Sequence, residues 1–224
     1  MAVLLAVAYP LLAHLAAARE HRLLATVAVA NLVLLVLLEP LVHRRIWAYV
    51  ALVACSAGLW WLAGTPHAML LLLAPPVVFT GILAWWFARS LRGGRTALIT
   101  RIVTALYRQA NAAVTPRLLT YTRSLTAAWA GLLGLLTLVN LALAMCAVPD
   151  GFLFRLGIAP PVAISNEQWS LFANLLNYGI VGGFMAAEYA YRKRVFAERP
   201  YRNLPDFLRQ MARLGPAFWR DLLR

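Results

Sequence analysis

Two carboxylates in this chain stand in apolar stretches with arginines just beyond them: Glu39 ahead of Arg44 and Arg45, and Glu188 ahead of Arg192 and Arg194. A carboxylate can position or deprotonate a hydroxyl, and arginine holds phosphate or carboxylate anions through its forked N–H groups. The combination is that of a headgroup or phosphate site. The competing reading is structural, because charges within membrane helices usually pair with one another. Upstream of Glu188 stand Asn174 and Asn177. At about 100° per residue the two asparagines lie about 60° apart on a helix and Glu188 returns to within about 20° of Asn177, so the three form one polar stripe. Ser170 and Tyr191 fall on the same side. Gly182, Gly183, Ala186 and Ala187 give the opposite side a surface that another helix can approach closely.

Other chemistries find less material. His14, His21, His43 and His67 are scattered without partners at ligand spacing, so no metal and no cofactor is expected. Cys55 and Cys146 sit in apolar segments without an adjacent basic group and behave as small buried hydrophobes. There is no Gly-rich phosphate loop and no Gly-x-Ser-x-Gly. Asp150-Gly151 beside Arg155 is a fragment of the CDP-alcohol phosphotransferase signature, but the further aspartates that would hold metal are missing, and that chemistry is rejected. Asn31, Asn140, Asn174 and Asn177 serve as hydrogen-bonding contacts across helices.

The elements that position these residues follow from composition. The 224 residues are 62% hydrophobic and 13% charged, outside the range of soluble domains. This predicts an all-α integral membrane protein of six transmembrane helices plus interfacial amphipathic helices. The spans are expected at about 2–18, 23–42, 46–63, 68–87, 125–148 and 168–191. Together they form a single transmembrane domain over 1–194, followed by a basic amphipathic tail over 195–224. Ala16-Ala17-Ala18 mimics a cleavage site, but no positive segment precedes it, and a retained first helix is favoured. The break at Gly64-Thr65-Pro66-His67 and the knot Arg19-Glu20-His21-Arg22 separate spans, while Pro75-Pro76 kinks the fourth, which starts near Ala68.

The connection 88–124 carries seven arginines and no acidic residue. Within it Leu98, Ile99, Ile102, Val103 and Leu106 recur at helical spacing with Arg101 and Arg108 on another face, the pattern of an interfacial helix. Thr115-Pro116 starts a new helix that continues into the fifth span. In the tail, Phe207, Leu208, Met211 and Leu214, then Phe218, Trp219, Leu222 and Leu223, make two surface helices interrupted by Gly215-Pro216. Arginine asymmetry puts the 88–124 connection and both termini in the cytoplasm. The net charge of +13 is then a feature of the cytoplasmic leaflet, with membrane lipids as partners and no nucleic acid. On that topology Glu39 and Glu188 both fall near the cytoplasmic ends of their helices.

Three segments carry a family resemblance: Pro75-Pro76 through Trp86, Ser90-Leu91, Gly94-Arg95 and Leu98 to Ile102; Tyr121-Thr122-Arg123 with Leu125-Thr126 and Trp129-Ala130; and Trp169 to Asn177-Tyr178 with Phe184, Glu188, Tyr189, Tyr191 and Arg192. In that order they resemble the small multi-pass inner-membrane proteins associated with aryl-polyene and xanthomonadin pigment clusters of Gram-negative bacteria. The resemblance covers roughly residues 75 to 196. It implies a bacterial inner-membrane location and a part in making, assembling or exporting a polyene acyl chain attached to a lipid. A ketosynthase role is not supported by the residues, since such enzymes need a nucleophilic Cys with two His on a soluble fold. The favoured function is an accessory membrane protein, leaning to no enzyme activity, whose basic face docks an acidic acyl carrier protein or other pathway enzymes. The alternatives are a membrane-embedded acyl or glycosyl transferase and a lipid exporter. The candidate polar or headgroup site comprises Glu188, Glu39, Arg192, Arg101, Arg123, Asn174, Asn177 and Tyr178.

Overall fold

The computed structural model describes residues 2–19, 21–65, 70–196 and 203–222. Glu20, Pro66, His67, Ala68 and Leu223, which enter the expectations above, lie outside the described residues. The elements are α1 (Ala2–Ala18), α2 (Arg22–Val42), α3 (Ile46–Ala63), α4 (Leu70–Ser90), α5 (Leu98–Gln109), α6 (Pro116–Cys146), β1 (Ala147–Val148), α7 (Phe152–Arg155), β2 (Ile164–Ser165), α8 (Asn166–Leu171), a π-helical turn (Phe172–Leu176), α9 (Asn177–Val195), α10 (Leu204–Arg213) and α11 (Gly215–Leu222). The described chain is thus almost entirely helical.

Among the described residues five helical runs are long and apolar enough to cross a membrane: α2, α3, the 72–90 part of α4, α6, and the continuous run Asn166–Val195. The sixth expected span, α1, has 17 residues. At about 1.5 Å rise per residue it is a few ångströms short of the roughly 30 Å hydrocarbon core. Large apolar side chains face outward on these helices, Ile46 at 81% and Trp60 at 82% exposure, a surface suited to lipid rather than water.

The chain divides into two compact units, Met1–Phe79 with Leu136–Gly183, and Thr80–Leu135 with Phe184–Arg224. In the first, α1 and α2 meet along an alanine seam. Ala13, Ala16, Ala17, Ala25 and Ala28 are all buried in one cluster with Tyr9, Leu72, Leu73, Ala144, Ala147, Trp169 and Ala173. Alanine works here because two helices can close on each other only where neither side chain projects far. Asn31 Nδ2 donates to the Leu5 carbonyl at 2.8 Å and ties α2 to α1.

The 147–166 segment is stapled by polar contacts. β1 pairs in parallel with β2, Ala147 opposite Ile164 and Val148 opposite Ser165. Asp150 pairs with Arg155 and accepts from Asn166 Nδ2 at 2.8 Å. Ser165 and Gln168 then form a reciprocal capping box that starts α8. Asp150 and Arg155 therefore hold the fold of this segment together, a use that needs no metal.

In the second unit, α5 packs into protein. Leu98, Thr100, Val103, Leu106 and Tyr107 are buried, and no residue from 97 to 107 is exposed. Val103 and Tyr107 cluster with Leu118, against which Ile99, Ala112, Val114 and Phe196 pack. This corrects the expectation of an interfacial helix with one open face, and hydroxyls explain it. Thr100 and Thr122 share a hydrogen bond of 2.8 Å, and Thr126 Oγ1 accepts from the Ile99 amide at 3.3 Å. α6 thus takes up the Thr100 hydroxyl and the Ile99 amide, while Arg108 and Gln109 at the end of α5 are exposed. α6 starts at Pro116, its Leu118 amide capped by Thr115 Oγ1 at 3.3 Å.

Gly151 is fixed by space. Its φ of −70° is ordinary, but a Cβ there would lie 2.2 Å from the Ala147 carbonyl oxygen and 2.7 Å from the Ala147 nitrogen. Gly151→Ala must move backbone, and is expected to cost about 1–3 kcal/mol, seen as a lower unfolding midpoint of the detergent-solubilised protein. An unchanged midpoint would contradict the packing described for this segment.

Candidate functional site

Within the second unit, α9 brings Glu188 to Arg192 one turn on, and α6 brings Tyr121 to the same carboxylate. Glu188 Oε1 accepts from the Tyr121 hydroxyl at 2.9 Å and lies 3.1 Å from Arg192 Nε. The Glu188 and Arg192 side chains are only 9% and 11% exposed. An aromatic shell surrounds them. The Tyr121 ring stacks on Tyr191 at 5.9 Å and tilts against Phe196 at 5.1 Å, and the Arg192 guanidinium lies 5.4 Å over Phe207 of α10. Rings that meet a guanidinium through their faces stabilise the positive charge without a second carboxylate.

This geometry decides what Glu188 can do. A general base needs an oxygen that a substrate hydroxyl can reach. Oε1 accepts from a phenol and sits beside a guanidinium on a side chain only 9% exposed, and these contacts tie α6 and α9 together, with α10 reaching the guanidinium through Phe207. Tyr121 belongs to this cluster although the sequence offered no signal for the pairing, since a tyrosine 67 residues away has no periodic relation to Glu188.

The other expected site residues are dispersed. Glu39 is exposed near the end of α2, and no ion pair involves it among the described residues, so its expected pairing with Arg44 or Arg45 is not formed. Arg101 on α5 binds Asp221 on α11, donating to both its carboxylate and its backbone carbonyl. Arg123 donates to the Leu91 carbonyl at 3.0 Å and so anchors the turn between α4 and α5.

Asn174 and Asn177 lie in the first unit, buried at 1% and 6% exposure, next to fully buried Ser170. The uniform 100° arithmetic fails between them. The Asn177 amide bonds to the Phe172 carbonyl, an i to i+5 turn that inserts extra residues into the helical register. Asn31 bridges helices as expected, but Asn140, Asn174 and Asn177 donate within their own helical runs. Asn174 Nδ2 donates to Ser170 Oγ at 3.0 Å, Asn177 Nδ2 to the Ala173 carbonyl at 3.2 Å and Asn140 Nδ2 to the Leu136 carbonyl at 2.8 Å, each four residues back on its own helix. Local back-bonding of this kind competes well because the acceptor is already in reach. The Oδ1 atoms of all three asparagines, with the Tyr9 hydroxyl and Trp169 Nε1, are buried without a hydrogen-bond partner among the described residues.

The bond between helices comes instead from His14, whose Nδ1 lies 3.3 Å from Ser170 Oγ. These residues are 156 positions apart, and nothing in the local sequence of either announces the other. A serine beside an imidazole is the arrangement of an activated nucleophile, but Ser170 has no exposed surface and is out of reach of any substrate. Tyr178 is 53% exposed and Tyr191 56%, so neither points into a common polar stripe. Gly182, Gly183, Ala186 and Ala187 are exposed too, and a Cβ at either glycine would meet nothing within 4 Å. The expected close helix contact on that face is not made among the described residues.

Among the described residues no three of His, Cys, Asp and Glu gather to hold a metal ion. The chain matches no protein-family model, no curated protein and no solved structure. The Glu188 cluster predicts that Tyr121→Phe, which removes only the hydroxyl, lowers unfolding stability in detergent by about 1.5–3 kcal/mol, the range for hydrogen bonds to charged groups. Calorimetry or thermal unfolding checks this, and no loss would mean that the bond to Glu188 does not form.

Proposed function

We propose that this chain is a non-catalytic accessory protein of the bacterial inner membrane, one that holds pathway components at the cytoplasmic face. The supporting observation is the state of Glu188. The strongest candidate for a catalytic base has its Oε1 committed to Arg192 and Tyr121, while the connection from 88 to 124 has seven arginines and no acid. Such a surface suits recruitment of an acidic partner, for example an acyl carrier protein, by electrostatic steering. The pathway itself, aryl-polyene lipid assembly, rests on the resemblance of the three segments alone.

In this reading α1 joins the five longer helical runs as a sixth span, its short length accommodated by local bilayer thinning. The basic connection and both termini face the cytoplasm. The transferase alternative needs a carboxylate that a substrate can reach, and of the two expected ones Glu39 is exposed whereas the Glu188 side chain is 9% exposed. Export would need a continuous polar path, whereas Asn174 and Asn177 bond back to their own helix.

The test is lipid analysis of strains carrying variants at native protein levels. Glu188→Gln keeps an acceptor for Tyr121 and is expected to leave polyene-lipid output within about twofold of the parent, whereas Arg101→Glu with Arg108→Glu is expected to reduce it at least about tenfold, the effect of roughly 1.4 kcal/mol or more. Loss of output in Glu188→Gln with retained output in the arginine variant overturns the docking role.

A further inference from the structure

The turn between α4 and α5 needs two left-handed residues, Gly93 at φ 65° and Gly94 at φ 68°. Only glycine adopts these values without strain. The reversal turns Arg95 and Thr96 toward the end of α4 and the start of α5, and a cleft of about 270 Å³ opens there. Its lining combines Arg89, Ser90, Arg95, Thr96 and Arg101 with the apolar Trp86, Leu98 and Leu222. No carboxylate lines it. Asp221, beside Leu222, is turned to Arg101.

The backbone of the cleft contributes little positive charge. At the start of α5, Ser90 Oγ accepts from the Leu98 amide at 3.0 Å and Thr126 Oγ1 accepts from the Ile99 amide at 3.3 Å. Ser90 also donates to the Phe87 carbonyl at 2.7 Å, so its hydroxyl is fully used. The attraction for an anion therefore comes chiefly from the Arg95 guanidinium, whose forked donors suit a tetrahedral oxyanion, with Arg101 beside it on Asp221 and Arg89 stacked on Trp85. The apolar wall argues that the anion belongs to an amphiphile, and the volume is below the roughly 300–1,000 Å³ of pockets that enclose a whole drug-sized molecule. A headgroup fits while its tails stay outside.

We infer that the cleft formed by the end of α4, the Gly93–Gly94 turn, the start of α5 and α11 binds a phosphate group, with Arg95 as its principal ligand and Arg101 held in place by Asp221. The phosphate comes either from a phospholipid headgroup or from a soluble phosphate. The inference rests on the docking reading for the face it uses, but its test does not depend on the pathway.

The full-length protein in neutral detergent is titrated with dioctanoyl phosphatidylglycerol, with dioctanoylglycerol, which has the same chains and no phosphate, and with inorganic phosphate, binding being followed by calorimetry. Phosphatidylglycerol is expected to bind at least about tenfold more tightly than dioctanoylglycerol, and Arg95→Gln to weaken it by about tenfold, the effect of losing one charge-assisted bond. Arg209→Gln with Arg213→Gln removes two exposed charges from α10 and is expected to change binding less than twofold. Unfolding midpoints without ligand confirm that each variant is folded. Equal binding of inorganic phosphate supports the site and identifies a soluble source; binding of the lipid alone supports it and identifies a headgroup. Equal affinity for dioctanoylglycerol, unchanged affinity in Arg95→Gln, or an equal loss in the α10 variant overturns the inference. Phosphate binding together with intact polyene-lipid output in Arg101→Glu with Arg108→Glu would preserve the site and reject the docking role.

Discussion

An apolar helix can carry a carboxylate toward the membrane only if that charge is neutralised before water is lost, and the organisation of the second unit follows from this constraint. Removing an ion from water costs several kcal/mol even after relaxation, and the cost is met only with good geometry and additional hydrogen bonds. Glu188 has a counter-ion close by and one hydrogen bond from a second helix. Arg192 lies one turn further on the same helix, Tyr121 adds a hydroxyl from α6, and Phe207 covers the guanidinium from α10. Three helices thus converge on one ion pair.

The first unit solves a milder form of the same problem. Its closest contacts are between alanines, where apolar helices gain from van der Waals packing rather than from exclusion of water. Polar side chains in that setting turn back to their own backbone, as Asn140 and Asn177 do, or meet one partner across helices, as His14 and Asn31 do. The π-helical turn Phe172–Leu176 keeps Ala173 and Asn174 buried, while Tyr178 two residues past the turn is exposed.

The features legible in the sequence were those that depend on local pattern. The start of α6 at Pro116, the amphipathic periodicity of α5, the break before α11 and the membrane-length runs all follow from residue types within one or two turns. The Glu188–Arg192 pair is legible for the same reason, being an i to i+4 relation. What the pattern could not contain were contacts between distant segments. Tyr121 with Glu188, His14 with Ser170 and Arg101 with Asp221 span 67, 156 and 120 residues. The amphipathic pattern of α5 was misleading in one respect, since a basic apolar-faced helix reads equally as a membrane-surface helix and as one packed against neighbouring helices, with Thr100 bonded to Thr122 and Arg101 to Asp221. Uniform angular arithmetic likewise cannot foresee a π-helical turn.

The central claim, that Glu188 and Arg192 form one buried structural unit, is tested most directly by a double-mutant cycle in unfolding stability. Glu188→Leu and Arg192→Met each leave one buried charge alone and are predicted to cost about 3–5 kcal/mol. The double variant removes both charges and is predicted to lose far less than the sum, because the desolvation cost disappears with the pair. Strictly additive losses would contradict the account, since they would mean that the two side chains do not interact.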